Sequence, residues 1–417
     1  MIVFKFGGAS VKDSKGVRNL LKIVKSYSDN LIVVVSALGK STNALEKILD
    51  LSYTNSEECK HQLDALKEYH LGILLELFEN KGHFIYKEIN RLFEELNTAL
   101  FKSNIKDYNC KYDQVVPYGE LLSTKILSSF LNELNVKNEW VDVRRIISTD
   151  NRYREAKVDY AKTSKNAEQY FSFKKTTIYL TQGFIGADDN GLTTTLGREG
   201  SDFTAAIIAN VMNAERVVVW KDVDGVLNAD PKFATESLKL HKLSYQETVE
   251  MAYFGAKVIH PKTLKPLHNK NIPLHVRSFI NTKDEGTVID CFKEYDQDLP
   301  IFIVKENQVL ISLFPKDLSF IIEDALSRIF KYISEQRIKV NLIQNSAISI
   351  SFCIDNYNCD LKKLINHLNE DFKVLYNDQL ELLTIRHYTS DAIDKVTYGR
   401  EVYIEQRSRH TAHFVIK

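Results

Sequence analysis

The chain has 417 residues, 44% of them apolar and 26% charged, a globular composition too long for one ordinary core, so roughly two to three domains are expected. Lysine plus arginine equals aspartate plus glutamate, at 55 each, so no bulk charge draws the chain to nucleic acid or to a membrane surface. Cys59, Cys110, Cys291, Cys353 and Cys359 are scattered, odd in number and outside any C-x-x-C pair, which excludes a disulfide scaffold and predicts free thiols in a reducing cytosol.

The opening "MIVFKFGG" has no basic region ahead of a long apolar stretch, so no signal peptide is expected. "IVFKF" reads as a strand, followed by "GG" and a helix with Val17, Leu20, Leu21 and Val24 at helical spacing. "LIVVV" is continuous and β-branched, as a parallel strand buried on both faces should be. Even extended to "LIVVVSAL" it is far too short to cross a bilayer. Residues 56–104 carry Leu63, Leu66, Ile73, Leu74 and Leu77, then Ile89, Leu92, Phe93 and Leu96, with no strand between. That pattern predicts a helical hairpin inserted in the sheet, at about 55–105. "NEWVDV", "TTIYLTQG", "ERVVVW" and "IPLHVRS" are further strands separated by helices, giving a layered α/β domain over 1–292 with a mainly parallel sheet.

"KEYDQDLP", at 293–300, is polar and ends in proline, and reads as a linker. Beyond it "QVLISLF", a helix from Phe320 to Glu335, "KVNLIQN", "AISISFCI", the helix "DLKKLINHL" and the strand "FKVLY" run in β-α-β-β-α-β order, a ferredoxin-like unit over 300–378. Residues 379–417 read as a second such unit, cut short after its third strand.

Glycine-rich loops between a strand and a helix suit phosphate, because the backbone can approach closely and the helix start offers free N–H groups. "KFGGAS" is such a loop, although a GG pair alone is equally a tight turn. Lys5 sharpens the reading, since a lysine ending a buried strand is costly unless it meets an anion. Neither a P-loop nor a G-x-G-x-x-G fingerprint is present. In "LGREGSD", Gly197 and Gly200 flank Arg198, which suits bidentate capture of a carboxylate; Ser201 alone would be a plain helix cap. Asp202 is placed to orient Lys5 or a metal-bound phosphate. "WKDVDGVLNADPK" follows "RVVVW" and is therefore aimed at the same strand ends, where ligands of open α/β sheets gather; by itself it is also a surface turn, with two aspartates in "KDVDG".

In order along the chain, "KFGGAS", "VVVSALGKSTNAL", "YGELLST", "TQGFIGADDNGLTTTLGREGSD", "VWKDVDGVLNADP" and "FGAKVIHPKT" resemble the motifs of aspartokinases in the amino-acid kinase family, over most of residues 1–280. The C-terminal region resembles the paired ACT domains of that family in shortened form. The resemblance implies a three-layer α/β/α catalytic domain. It also implies transfer of the γ-phosphoryl group of ATP to the β-carboxylate of L-aspartate, giving 4-phospho-L-aspartate, the first step toward lysine, threonine and methionine.

By the same resemblance, Lys5 meets the transferring phosphoryl group, and Gly7 and Gly8 supply N–H donors. Ser36 and Thr42 lie beside the substrate, Glu120 meets its amino group, Arg198 its α-carboxylate, and Ser201 and Asp202 complete the site. Lys221, Asp222, Leu227, Lys232 and Lys257 fall where the family holds ATP, with Mg²⁺ carried by phosphates and water rather than by protein ligands. A homodimer or higher homo-oligomer through the ACT region, a cytoplasmic location, and no nucleic-acid or membrane partner are also implied.

Four residues depart from the family pattern: Ala9 for a hydroxyl residue, Glu199 for glycine, Lys221 for threonine and Leu227 for tyrosine. Glu199 puts a carboxylate near the phosphates, where it should repel unless it points outward or helps to hold Mg²⁺. In lysine-sensitive relatives an aspartate stands at the position of Asn341, a glutamate at that of Ala347 and a glycine at that of Ser319, whereas Ser346 is shared. The loss of both acids predicts weak or absent lysine inhibition. Two alternatives remain at this stage: a glutamate-type carboxylate kinase of the same fold, and a catalytically silent amino-acid sensor.

Overall fold

The computed structural model describes all residues except 234–236, 257, 293–298, 318–319, 321–322 and 357–360. Lys257, Ser319, Cys359 and most of the expected linker lie outside the described residues. The chain forms two compact units, one of residues 1–226, 239–248 and 259–295, the other of 227–238, 249–258 and 296–417.

The strands of the first part of the chain are β1 (Ile2–Phe6), β2 (Leu31–Val35), β3 (Glu139–Val141), β4 (Ile178–Gln182), β5 (Ile185–Ala187), β6 (Thr193–Thr195), β7 (Arg216–Lys221), β8 (Val226–Leu227), β9 (Lys239–Leu240), β10 (Lys242–Ser244), β11 (Leu274–Ser278) and β12 (Thr287–Asp290). The helices over the same span are α1 (Ser14–Lys25), α2 (Ser41–Thr54), α3 (Ser56–Leu77), α4 (Phe84–Phe101), α5 (Tyr108–Val115), α6 (Tyr118–Glu133), α7 (Tyr160–Tyr170), α8 (Gly200–Val211), α9 (Tyr245–Tyr253) and α10 (Pro261–His268). Eight strands make one sheet in the order β10-β12-β11-β7-β1-β2-β4-β3, and only the β11–β12 pairing is antiparallel.

Every residue of β1, β2 and β4 is buried; β2 is apolar throughout, as strands covered on both faces tend to be, whereas β1 buries Lys5 and β4 buries Thr181 and Gln182. On one face Phe4, Phe6, Trp220 and Phe279 interlock, with the Phe6 and Trp220 rings stacked at 6.1 Å. The expected helical insertion is α3 and α4; Leu66, Ile73, Leu74, Ile89, Leu92 and Phe93 join that same core, so it is not a loose appendage. On the other face α8, buried at nearly every position, lies against β1, β2 and β7 and carries α10 on its flank. These are the three layers expected from the sequence. The short antiparallel pair β5–β6 was not expected, because "IGA" and "TTT" carry too little hydrophobic alternation to register as strands.

The second unit holds a six-stranded sheet. Its elements are β13 (Ile301–Pro315), α11 (Glu323–Glu335), β14 (Val340–Asn345), β15 (Ile350–Asp355), α12 (Leu361–Asp371), β16 (Phe372–Arg386), α13 (Ser390–Thr397), β17 (Val402–Arg407) and β18 (Thr411–Ile416), ordered β14-β15-β13-β16-β18-β17. The first strand is much longer than "QVLISLF", and "FKVLY" and "LELLTIR" are one strand, not two. Ile301–Lys305 pairs with Leu382–Arg386, while Gln308–Pro315 pairs with the stretch from Phe372 to Leu380. The second half, read as stopping after three strands, therefore gains a fourth from Ile301–Lys305. Register shifts around Lys305–Leu310 accompany this, with Asn307 and Gln379 at positive φ. Val309, Ile311 and Leu313 pack under α11 and α12, whereas Phe302 and Val304 pack with α13, so side-chain parity flips across the bulge.

Candidate active site

The loops after β1, β2, β4 and β7 leave neighbouring strands at their carboxyl ends, and together they bring most of the expected residues of the first unit to one place. Lys5 is 9% exposed, and its Nζ lies 2.6 Å from Asp202 Oδ1 in the first turn of α8. Asp202 is 4% exposed. Burial pushes its carboxyl up, but the Lys5 and Lys221 ammonium groups outweigh that and hold it below the ordinary carboxylate value. Asp202 Oδ1 takes no well-directed hydrogen bond, so the pair is mainly coulombic and open to a competing anion at Lys5.

The first loop is packed against the second. Gly39 N donates to Gly8 O, and Ser36 N to Phe6 O. A Cβ on Gly8 would sit 2.6 Å from the Gly39 carbonyl oxygen and 2.7 Å from that of Ala37, so only glycine fits there. Gly7 is open by comparison, its nearest neighbour being Lys5 Nζ. Ser36 and Thr42 are half-buried at the end of β2 and the start of α2, and Ser123 Oγ holds the Ser36 carbonyl at 2.8 Å. Ser201 is buried against Gly183, where a Cβ would meet its side chain at 2.4 Å.

Glu120, in the first turn of α6, is 2% exposed. Its Oε1 accepts the Ala37 N–H at 3.2 Å, and its Oε2 has no hydrogen-bond partner among the described residues. Burial pushes its pKa up to about 8, against the opposing effect of the Ala37 N–H and Lys5. A buried carboxylate with an unmet oxygen is a receptor for a cationic donor.

Arg198 is exposed between Gly197 and Glu199, both at positive φ, and its guanidinium makes no hydrogen bond or ion pair to a described residue. Glu199 is exposed, and its Oε2 accepts the His260 N–H at 3.0 Å at the start of α10. Lys262 ties the same two segments, donating to Leu196 O at 2.8 Å with its ammonium 4.9 Å from the Phe203 ring centre. Of the other departures, Ala9 is exposed, and Lys221 ends β7 within electrostatic reach of Asp202.

Asp222 is exposed just beyond β7. Leu227, half-buried, and Lys232, exposed, belong to the second unit. Asn341 and Ser346 are also in that unit. Asn341 is buried in β14: Oδ1 accepts from Lys305 Nζ at 2.8 Å, and Nδ2 donates to Gln308 Oε1 and Asp355 Oδ1, each at 2.8 Å. Ser346 is exposed in the turn after β14, its N–H donating to Ser349 O.

Sequence reasoning missed Asp113, which is buried in α5 and bonded to two segments distant in sequence.

Residues 1–278 match the Amino acid kinase family. The chain is 33% identical to the lysine-sensitive aspartokinase 3 of Escherichia coli over 359 residues, 85% of this chain and 78% of that protein. It is 29% identical to a chloroplastic bifunctional aspartokinase/homoserine dehydrogenase 2 of Arabidopsis thaliana, covering 91% of this chain but only 42% of the relative. The structure matches E. coli aspartokinase III in complex with aspartate and ADP with a TM-score of 0.82 at 29% identity, over 100% of this chain and 96% of that one.

Proposed function

The chain belongs to the amino acid kinase family and, within it, to the aspartokinases, and from that premise we propose how its residues carry out aspartate phosphorylation. It is an ATP-dependent aspartate kinase: an oxygen of the substrate's β-carboxylate attacks the γ-phosphorus of ATP, the bond from that phosphorus to the β–γ bridging oxygen breaks, and ADP leaves. No proton need move, so positioning and charge neutralisation carry the catalysis. Glu120 receives the α-ammonium through its unmet Oε2, and Arg198 takes the α-carboxylate as a fork. Ser36, Thr42 and Ser201 flank the substrate. Gly7 and Gly8 give backbone N–H groups to the phosphates, and Lys5, released from Asp202, follows the transferring group. Lys221, Asp222, Leu227, Lys232 and Lys257 are assigned to the nucleotide.

A Mg²⁺ arriving with the nucleotide would be held largely by phosphates and water. Bound there, the ion would supply neutralisation of phosphate charge. The observation that most favours an amino-acid substrate is the buried, half-satisfied Glu120. Hydroxamate formation from ATP and L-aspartate tests the reading against a glutamate-type kinase and a silent sensor.

The Glu120 environment makes the activity pH-dependent. Below about 8 the carboxyl is largely neutral and cannot pair with an ammonium, so kcat/KM for aspartate should rise as pH is raised through about 8. Glu120→Gln should lower kcat/KM and flatten that limb; a limb unchanged in the variant would assign it to another group.

We assign 1–292 to catalysis, with its insertion at 55–105, and 300–378 and 379–417 to an ACT-like regulatory region that also joins copies into a homodimer or larger homo-oligomer. Exposed Ile343, Ile348, Leu375 and Tyr376 support such pairing. Asn341 has both ends of its amide engaged, so a lysine amine would have to displace Lys305 without gaining a carboxylate at that position. Kinase rate measured against lysine and threonine, singly and together at saturating ATP, should therefore show weak or no lysine inhibition; half-inhibition at micromolar lysine would overturn this. The described cysteines Cys59, Cys110, Cys291 and Cys353 are unpaired, which supports a reducing compartment such as the cytoplasm. No described helix is long and apolar enough to cross a membrane.

A further inference from the structure

Asp113 sits inside α5 and is 0% exposed. Aspartate is a poor helix former, and a buried carboxylate is costly unless it is fully bonded. Here it is: Oδ1 accepts from Thr195 Oγ1 at 2.8 Å and from Arg154 N at 3.2 Å, while Oδ2 accepts from Thr195 N at 2.8 Å and shares the Arg154 N–H at 3.0 Å. The adjacent Gln114 grips the same strand, with Nε2 donating to Thr193 O at 2.8 Å and Oε1 accepting from Thr193 N at 3.3 Å. α5 thus holds β6 much as a neighbouring strand would.

Three segments meet at this one carboxylate. α5 runs through Val116 and Pro117 into α6, whose first turn carries Glu120. β6 runs directly into the Gly197 turn that carries Arg198. The third segment, at Arg154 with φ +69°, braces that turn: a Cβ on Gly197 would lie 2.9 Å from Glu155 Cγ and 3.1 Å from Arg154 O, and Ala156 N donates to Thr195 O at 3.0 Å.

We propose that Asp113 is a positioning residue for substrate reading, fixing the spacing between the group that takes the α-ammonium, Glu120, and the group that takes the α-carboxylate, Arg198. This rests on the roles assigned above to those two residues. Asp113 touches neither substrate nor nucleotide; it acts on aspartate selection through the two loops it joins. Its loss should therefore weaken aspartate binding while leaving the glycine loop at Lys5, and with it ATP, little changed.

Two nearly isosteric variants test this in the full chain. Asp113→Asn keeps the shape but turns an amide N–H toward backbone donors. Thr195→Val removes only the hydroxyl bond and keeps the backbone one. Aspartate binding, measured calorimetrically with ADP present, and steady-state KM for both substrates are read together with melting temperature. The expected result is an aspartate Kd and KM raised about tenfold in Asp113→Asn and about threefold in Thr195→Val, with KM for ATP within about twofold. Unchanged aspartate affinity in the folded variants overturns the proposal, as does an equal rise for both substrates, which would mean general loosening. If Asp113→Asn does not fold, Thr195→Val decides by the same criteria. Failure of the unaltered chain to bind aspartate overturns the functional reading and this inference with it.

Discussion

Lys5→Ala should lower kcat by about two decades or more while changing KM for aspartate little. The side chain is next to last in a buried strand and is held at 2.6 Å from Asp202, so its ammonium is already in place before substrate arrives. A charge fixed in a site shielded from water needs little reorganisation when negative charge shifts onto the leaving phosphate. The substitution also leaves a buried carboxylate without its nearest partner. Breaking such a pair typically costs about 3–5 kcal/mol, part of which Lys221 would offset here. Stability and catalysis must therefore be separated. Adding Asp202→Asn to Lys5→Ala should restore much of the melting temperature but none of the turnover. Near-normal turnover in Lys5→Ala would refute the phosphoryl role.

Arg198→Lys should reduce kcat/KM for aspartate by roughly one to two decades with no loss of melting temperature. Stability is spared because the guanidinium is exposed and unbonded to any described residue, so the fold does not depend on it. Activity is not spared, because lysine keeps the charge but loses the planar pair of donors that matches a carboxylate. Gly197 and Glu199, both at positive φ, fix where that fork begins. Succinate, which has no amino group, should be a poor substrate for the unaltered chain. Equal use of succinate and aspartate would remove the case for Glu120 as the reader of the α-amino group.

Much of this site was legible because its residues lie in short contiguous runs. Lys5 with its glycines, Glu120 in "YGELLST" and Arg198 in "LGREGSD" each announce a strand end or helix start in a few letters. Asp113 announces nothing. A lone aspartate in "CKYDQVV" reads as a solvated helix face, and the partners that explain it are 41 and 82 residues away. The joint in the C-terminal sheet was hidden for a related reason. Polar "KENQ" and "NDQ" look like chain breaks. In the fold the first run spans a bulge and supplies Lys305 and Gln308 to a buried network with Asn341 and Asp355, while the second lies within the unbroken β16. In the first run, polar Gln308 is buried in the sheet because Asn341 and Asp355 satisfy its amide.

The unbroken course of β13 and β16 also bears on how this region can be altered by recombination. A gene junction placed near residue 378 cuts a continuous strand and strands Ile301–Lys305 without a partner. The second half is not a portable module, for it borrows a strand from chain assigned to the first. A chimera meant to import a different feedback response from a related enzyme would have to exchange 300–417 as a single cassette, and insertions tolerated at ordinary domain borders should fail at this one.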